Sequence, residues 1–164
     1  MQIRPETNAD IEAIYDLTQR AFAPMPFSDG DEGDCINKLR RDGDLTISLV
    51  VVEGETIIGH IAFSPITIGG VSDDWYGLGP VSAEPDRQKS GIGSALINHG
   101  LEFIRGLGAK GCALIGDPNY YHRFGFVGDG RLTYHDLPKE VVQWLSFTDA
   151  KPQGVLRYSP GLEI

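Results

Sequence analysis

A strand-like run, Val81-Ser82-Ala83, leads through Glu84-Pro85-Asp86-Arg87 into Gln88-Lys89-Ser90-Gly91-Ile92-Gly93-Ser94, where a long helical stretch opens. The first backbone N–H groups of a helix have no partner within it, and the helix dipole makes that end positive. Gly91 and Gly93 place no side chain where an anion would approach the backbone. Such a turn can cradle a diphosphate without a metal. It can equally be an ordinary helix start, because glycines are common there. No Gly-x-x-x-x-Gly-Lys-Ser/Thr occurs, which excludes a P-loop. Gly106 to Gly111 fits Gly-x-Gly-x-x-Gly, but it follows a helix and precedes a strand. A dinucleotide site needs the reverse order, so this match reads as a helix terminator and turn.

A second group of reactive side chains lies in Gly116-Asp117-Pro118-Asn119-Tyr120-Tyr121-His122-Arg123-Phe124-Gly125-Phe126. A phenol, with an ordinary pKa of about 10, can donate a proton to a leaving group. It can equally pack as a core ring, and one of the adjacent pair Tyr120 and Tyr121 is expected to be structural. Carboxylates able to take up a proton are Glu32, ahead of the second helix, and Asp73, Asp74 and Glu84, which flank the strand ending at Ala83. Each reads first as a solvated surface group, so no base is singled out. His60 sits inside a strand on a mixed face and reads as a structural histidine. No segment has a nucleophile-elbow pattern, and no Cys/His cluster has metal-ligand spacing, so no metal is expected.

The elements that must hold these groups follow from hydrophobic period and punctuation. Gln2 to Arg4 suits a short strand. Thr7 or Asn8 can cap a helix carrying Ile11, Ile14, Tyr15, Leu17 and Phe22, which Ala23-Pro24-Met25-Pro26 ends. A second helix should turn Cys35, Ile36 and Leu39 inward and stop near Gly43. The β-branched run Ile47–Val52, a turn at 53–55, Thr56–Ile68 and Trp75–Ala83 read as strands. Gly91–Leu107 is a helix with apolar Ile92, Leu96, Ile97, Leu101, Phe103, Ile104 and Leu107. Gly111–Ile115 is a buried strand, Pro118 opens a short helix, strand material follows Phe126, and a brief helix is expected over Pro138–Leu145. A last strand lies near Gly154–Tyr158. The order is that of a mixed α+β sheet in one domain spanning 1–164.

The 164 residues are 41% apolar and 23% charged, an ordinary balance for a globular chain. A net charge of −9 makes nucleic acid an unexpected partner, although it can favour a cationic acceptor. The longest apolar run, Leu49–Val52, is far too short to span a bilayer, and no apolar signal segment opens the chain. Cys35 and Cys112 form no Cys-x-x-Cys pair and read as two buried thiols in a reduced, cytoplasmic protein.

Gln88-x-x-Gly91-x-Gly93, three residues after Pro85, resembles the Gln/Arg-x-x-Gly-x-Gly/Ala signature of the GNAT superfamily of N-acyltransferases. The segment from Gly116 to Phe126 resembles that family's downstream element, a strand end leading to a short helix with a tyrosine and then Gly-Phe. The two motifs stand in the family's order, and the element order matches over nearly the whole chain.

The resemblance implies a mostly antiparallel, twisted central sheet, splayed at the cofactor site, with helices on both faces. It implies acetyl-coenzyme A as acyl donor and a primary amine as acceptor, attacked directly in a ternary complex. Backbone contacts to the pantetheine arm are carried onto Val81, Ser82 and Ala83, and the pyrophosphate cradle onto Gln88, Lys89, Ser90, Gly91, Ile92, Gly93 and Ser94. Tyr120 and Tyr121 join the cofactor site, and Tyr121, four residues before Gly125, is also carried over as the general acid. The chain departs from the family at Lys89 and Ser90, where a glycine and then a basic residue are frequent. Family members often dimerise, so a homodimer is a further expectation. A non-catalytic acyl-coenzyme A sensor would keep the same cradle and is the competing reading.

Overall fold

The computed structural model describes residues 1–163. In chain order the elements are β1 (Gln2–Pro5), α1 (Ile11–Phe22), α2 (Glu32–Asp42), β2 (Ile47–Glu53), β3 (Thr56–Ile68), β4 (Trp75–Ala83), α3 (Ile92–Gly106), β5 (Gly111–Ile115), α4 (Pro118–Tyr121), β6 (Leu132–Thr133), β7 (Val142–Ser146) and β8 (Gly154–Tyr158). The strands form one sheet in the order β1-β2-β3-β4-β5-β7, with β8 paired to the far end of β3 and β6 to β8. Neighbours run antiparallel except β4 with β5 and β6 with β8.

The alternation along β2 and β3 assigns their faces. Ile47, Leu49, Val51, Ile61 and Phe63 join Leu96, Ile97 and Ile104 of α3 in the larger core. On the opposite face Val50 packs with Ile14 and Leu17 of α1 and Ile36 of α2. The sheet is therefore sandwiched between α3 on one side and the two N-terminal helices on the other. α2 stops where expected, at Gly43 with φ 77°, a left-handed position that glycine takes without steric cost.

Two features open the sheet at its centre. Ile61 faces Val81 and Phe63 faces Leu78, so the single residue Ala62 lies opposite the pair Gly79-Pro80, a bulge in β4. On its other edge, β4 pairs with β5 only from Trp75–Gly111 to Gly77–Ala113. Among the described residues, no strand pairs with that edge from Leu78 to Ala83.

Three expectations need correction. The helix expected over Pro138–Leu145 is a single 3-10 turn, Lys139–Val141, followed by β7. β7 fills the open side of β5 over its whole length, from Ile115–Val142 to Gly111–Ser146. That pairing, together with β-branched Val141 and Val142, outweighs local helical character. On α3, Phe103 and Leu107 are exposed. The buried stripe drifts around the helix from Ile92 and Leu96 towards Leu101 and Ile104, and the two exposed residues continue the first line rather than the second. Cys112 is buried, but Cys35 is only half-buried.

Candidate functional site

Beside the open edge of β4 lies a cleft of about 580 Å³ lined by Val81, Ala83, Gln88, Lys89, Gly91, Gly93, Ser94, Tyr120 and Arg123. Its wall is the start of α3. Gly91 is the N-cap residue, with φ 88°, and no side chain caps the helix, so the N–H groups of its first turn keep their donors free. A Cβ at Gly91 would meet no atom within 4 Å, and one at Gly93 would meet only the Tyr120 hydroxyl, at 3.5 Å. The backbone is bare on the side that an anion must approach. Lys89 and Arg123 bring positive charge to this one place on an acidic protein.

The departure at Lys89 has a structural signature. Lys89 has φ 67°, a left-handed conformation that costs an L residue roughly 1–2 kcal/mol and a glycine almost nothing. The lysine thus occupies a backbone position that a glycine would take without strain. Ser90 turns its hydroxyl back onto the Arg87 carbonyl, and Gln88 reaches the Ala83 carbonyl at 3.5 Å. Both side chains brace the turn. Ile92, also in the expected cradle, does not line the cleft; its side chain is buried in the core and anchors α3.

A second cavity, of about 410 Å³, lies between α1, the loop after it, β4 and the end of β5. Phe22, Phe27, Glu32, Leu78, Gly79, Pro80, Val81, Ile115, Gly116, Asp117 and Tyr121 line it. Val81 belongs to both cavities. The two tyrosines part company here. Tyr120 faces the cleft, with its hydroxyl 3.1 Å from Ser94 Oγ and the Arg123 guanidinium 4.5 Å over its ring. Tyr121 faces the second cavity and packs edge-on against Phe126. Burial, with smaller contributions from Tyr120, Asp117 and Cys112, pushes its phenol up to about 12.

Of the four carboxylates named from the sequence, Glu32 lines this cavity; it opens α2 and accepts a 2.6 Å hydrogen bond from Ser28. Glu84 is tied to Arg20 by two hydrogen bonds of 3.0 and 2.8 Å, joining α1 to the end of β4. Asp73 pairs with Lys110 at 2.6 Å, away from both cavities. Asp74 accepts the Lys110 N–H through its carbonyl. Trp75 is buried in the far core with Ile66 and Leu156.

Ser82 alternates away from the cleft, and its buried hydroxyl has no partner among the described residues. Any contact it makes in the cleft is therefore through its backbone. Its register partner on β3 is His60, which is fully buried beneath α1. His60 Nε2 lies 2.7 Å from Ser48 Oγ, Ser48 donates to Glu6, and Arg40 donates to Glu6 at 2.8 and 2.9 Å. Although burial opposes its charge, Arg40 and Ser48 hold Glu6 below the usual carboxylate range. An ionised carboxylate only accepts, so Ser48 spends its proton on Glu6 and His60 must carry its own on Nε2. Burial, against the pull of Glu6, pushes His60 down to about 4. It is a neutral histidine locked in one tautomer, part of the scaffold under β4.

Arg123 and Asp117 were not singled out from sequence. Their signal was position, since Arg123 lies two residues after Tyr121 and Asp117 caps α4 through the Asn119 N–H at 2.9 Å. Among the described residues no group of His, Cys, Asp and Glu is placed to hold a metal ion, and no helix is long and apolar enough to cross a membrane.

Residues 11–126 match the model of the Acetyltransferase (GNAT) family. YhbS of Escherichia coli strain K12, an uncharacterized N-acetyltransferase, is 34% identical over 138 residues, covering 84% of this chain and 78% of YhbS. A GNAT family acetyltransferase from Brucella melitensis, crystallised in complex with acetyl-CoA, shares 43% identity with a TM-score of 0.89, covering 99% of this chain and 97% of that one. The crystal structure of E. coli YhbS in complex with CoA aligns with the same TM-score, 0.89, at 28% identity, covering 98% and 90%. The motifs at Gln88–Gly93 and Gly116–Phe126, the sheet opened beside β4 and these matches agree: the chain belongs to the GNAT family of N-acetyltransferases.

Proposed function

We propose that this chain binds acetyl-coenzyme A in the cleft and transfers its acetyl group directly to a primary amine held in the second cavity. The observation that carries this reading is the meeting of the two cavities at Val81. A donor threaded along β4 and an acceptor entering from α1 would converge there, so the reactants are aligned without a covalent enzyme intermediate. Alignment of this kind can supply on the order of 7–11 kcal/mol in the best intramolecular cases.

Acetyl-coenzyme A brings an acyl group already activated as a thioester. The chain's own groups then have distinct tasks. The free N–H groups at the start of α3, with Lys89 and Arg123, receive the pyrophosphate. The unpaired edge of β4 from Val81 to Ala83 offers backbone partners to the pantetheine arm and an N–H to the carbonyl oxygen. Tyr120, fixed by Ser94 and Arg123, shapes the cleft wall. As the C–N bond forms and the C–S bond breaks, Tyr121, protonated throughout the physiological range, donates its proton to the departing sulfur. The proton released from the amine nitrogen passes through water to restore the phenol.

The test is a calorimetric titration with acetyl-coenzyme A beside coenzyme A and a nucleotide lacking the pantetheine arm, followed by a thiol-release assay over an amine panel. Binding that requires the arm, with amine-dependent thiol release, is the expected result. Binding without release to any amine would favour an acyl-coenzyme A sensor, and no binding at millimolar ligand would overturn the reading.

A further inference from the structure

The second cavity has a definite chemical character. Phe22 and Phe27 meet edge to face, with centroids 6.5 Å apart, and Leu78, Val81 and Ile115 continue an apolar lining. Phe27 is 68% exposed. A large ring left in water at the mouth of a cavity is unfavourable for the free protein and becomes favourable when an apolar group covers it. The charged side chains among the described lining residues have one sign. Glu32 and Asp117 are carboxylates, and no lining residue is basic.

Both carboxylates keep an oxygen for a ligand. Ser28 occupies Glu32 Oε1, and the Asn119 N–H occupies Asp117 Oδ1. The cation on α1 nearest in sequence to Phe22, Arg20, is already held by both oxygens of Glu84. It is therefore not free to neutralise an acidic group on an acceptor. A volume of about 410 Å³ suits a small molecule.

We propose that the acceptor is a small cationic amine on an aromatic or comparably flat apolar body, with no carboxylate beside the amine. The proposal rests on the acetyl-transfer reading above and narrows its acceptor. Two effects generate the selectivity. The aromatic pair rewards a ring, since a ring covers more apolar surface than a short alkyl chain. The acidic lining rejects an anionic substituent, because a carboxylate there faces two like charges with no cation to pair with.

Four probes separate these effects: 2-phenylethylamine, ethylamine, phenylalaninamide and phenylalanine. The first two differ in the ring and the last two in the carboxylate charge. We expect kcat/KM for 2-phenylethylamine to exceed that for ethylamine by tenfold or more, and phenylalaninamide to exceed phenylalanine by a similar factor. Phe27→Leu should shrink the first ratio and leave the second. Glu32→Gln should shrink the second and leave the first. A selective fall in one ratio cannot come from general loss of folding, which lowers all four rates together.

Equal rates within either pair of probes would overturn the proposal. So would ratios that neither substitution changes. If acetyl-coenzyme A binds and other amines are acetylated while all four probes are inert, the acceptor class is wrong and acetyl transfer stands. If acetyl-coenzyme A does not bind, both readings fall together.

Discussion

The ring of Tyr121 lies over the bare Cα of Gly116, so closely that a Cβ built there would come within 2.6 Å of Tyr121 Cε2 and 3.0 Å of Cδ2. The glycine at the end of β5 thus decides where the phenol of the next element stands. Gly116→Ala must push the ring aside, and the hydroxyl leaves its place in the second cavity. We expect kcat to fall roughly tenfold or more, approaching the loss of about 10²-fold or more expected for Tyr121→Phe. Acetyl-coenzyme A affinity, which the proposed function assigns to the other cavity, should barely change in either variant. Steady-state kinetics paired with calorimetry checks this. A Gly116→Ala protein with unchanged kcat would show that the phenol's position is immaterial.

Lys89 combines an unfavourable backbone with a useful charge. Lys89→Gly removes the left-handed strain, which is partly offset by greater freedom of the unfolded chain, so stability should rise by up to about 1 kcal/mol. Lys89→Ala keeps the strain and should not gain. Both lose the ammonium and should bind coenzyme A several-fold more weakly, with less dependence on salt. Thermal unfolding and titrations at two ionic strengths separate the two effects.

Arg123 donates from Nε to the Tyr120 carbonyl at 2.8 Å and covers the Tyr120 ring, so it joins charge to shape at the cleft wall. Arg123→Gln should weaken coenzyme A binding about tenfold, in keeping with the loss of a charge-assisted hydrogen bond. The KM for the amine should stay within about twofold, because Arg123 does not line the second cavity. Titration of coenzyme A and amine kinetics at saturating donor provide the comparison.

Acid should destabilise the protein in two stages. His60 is pushed down to about 4 from an ordinary 6.5, so between those values the unfolded chain takes up a proton that the folded chain refuses. Stability then falls as the pH drops from about 6.5 to 4, by on the order of 3 kcal/mol at most. Asp10 follows. Its carboxyl, held by Arg4 at 2.7 and 3.1 Å and by Thr7, is pulled down from 3.8 to about 2. Its contribution is present above 3.8 and lost as the pH falls through 2. Urea unfolding across this range should show both slopes. His60→Gln should flatten the first and leave the second.

The bare start of α3 was legible because it depends on backbone, and glycine at 91 and 93 leaves that backbone without side chains. The helices and β2 to β5 were legible from period alone. β7 was not, because Val142–Ser146 is a strand only through pairing with β5, a partner nearly 30 residues away in the chain. The division between Tyr120 and Tyr121 was equally hidden. It follows from the rotation of the one-turn helix α4 against Gly116, and adjacent identical residues carry no mark of it. Neither did the sequence disclose that Glu84 and Asp73 are occupied by Arg20 and Lys110, since each pair joins residues from separate elements.

The gap beside β4 also bears on how this protein avoids its own kind. An unpaired strand edge is a template for a strand from another molecule, and such contacts seed aggregation. Here the edge lies in the middle of the sheet, and it is made unfit for that use. Pro80 lacks the N–H that an incoming strand would need, and the bulge at Gly79-Pro80 throws the donors out of step with a regular partner. What remains between Val81 and Ala83 is long enough for a slender ligand and too short and irregular for a foreign strand. The same kink that opens the sheet beside β4 therefore acts as a guard against misassembly, and straightening it by Pro80→Val should leave a protein more prone to aggregate.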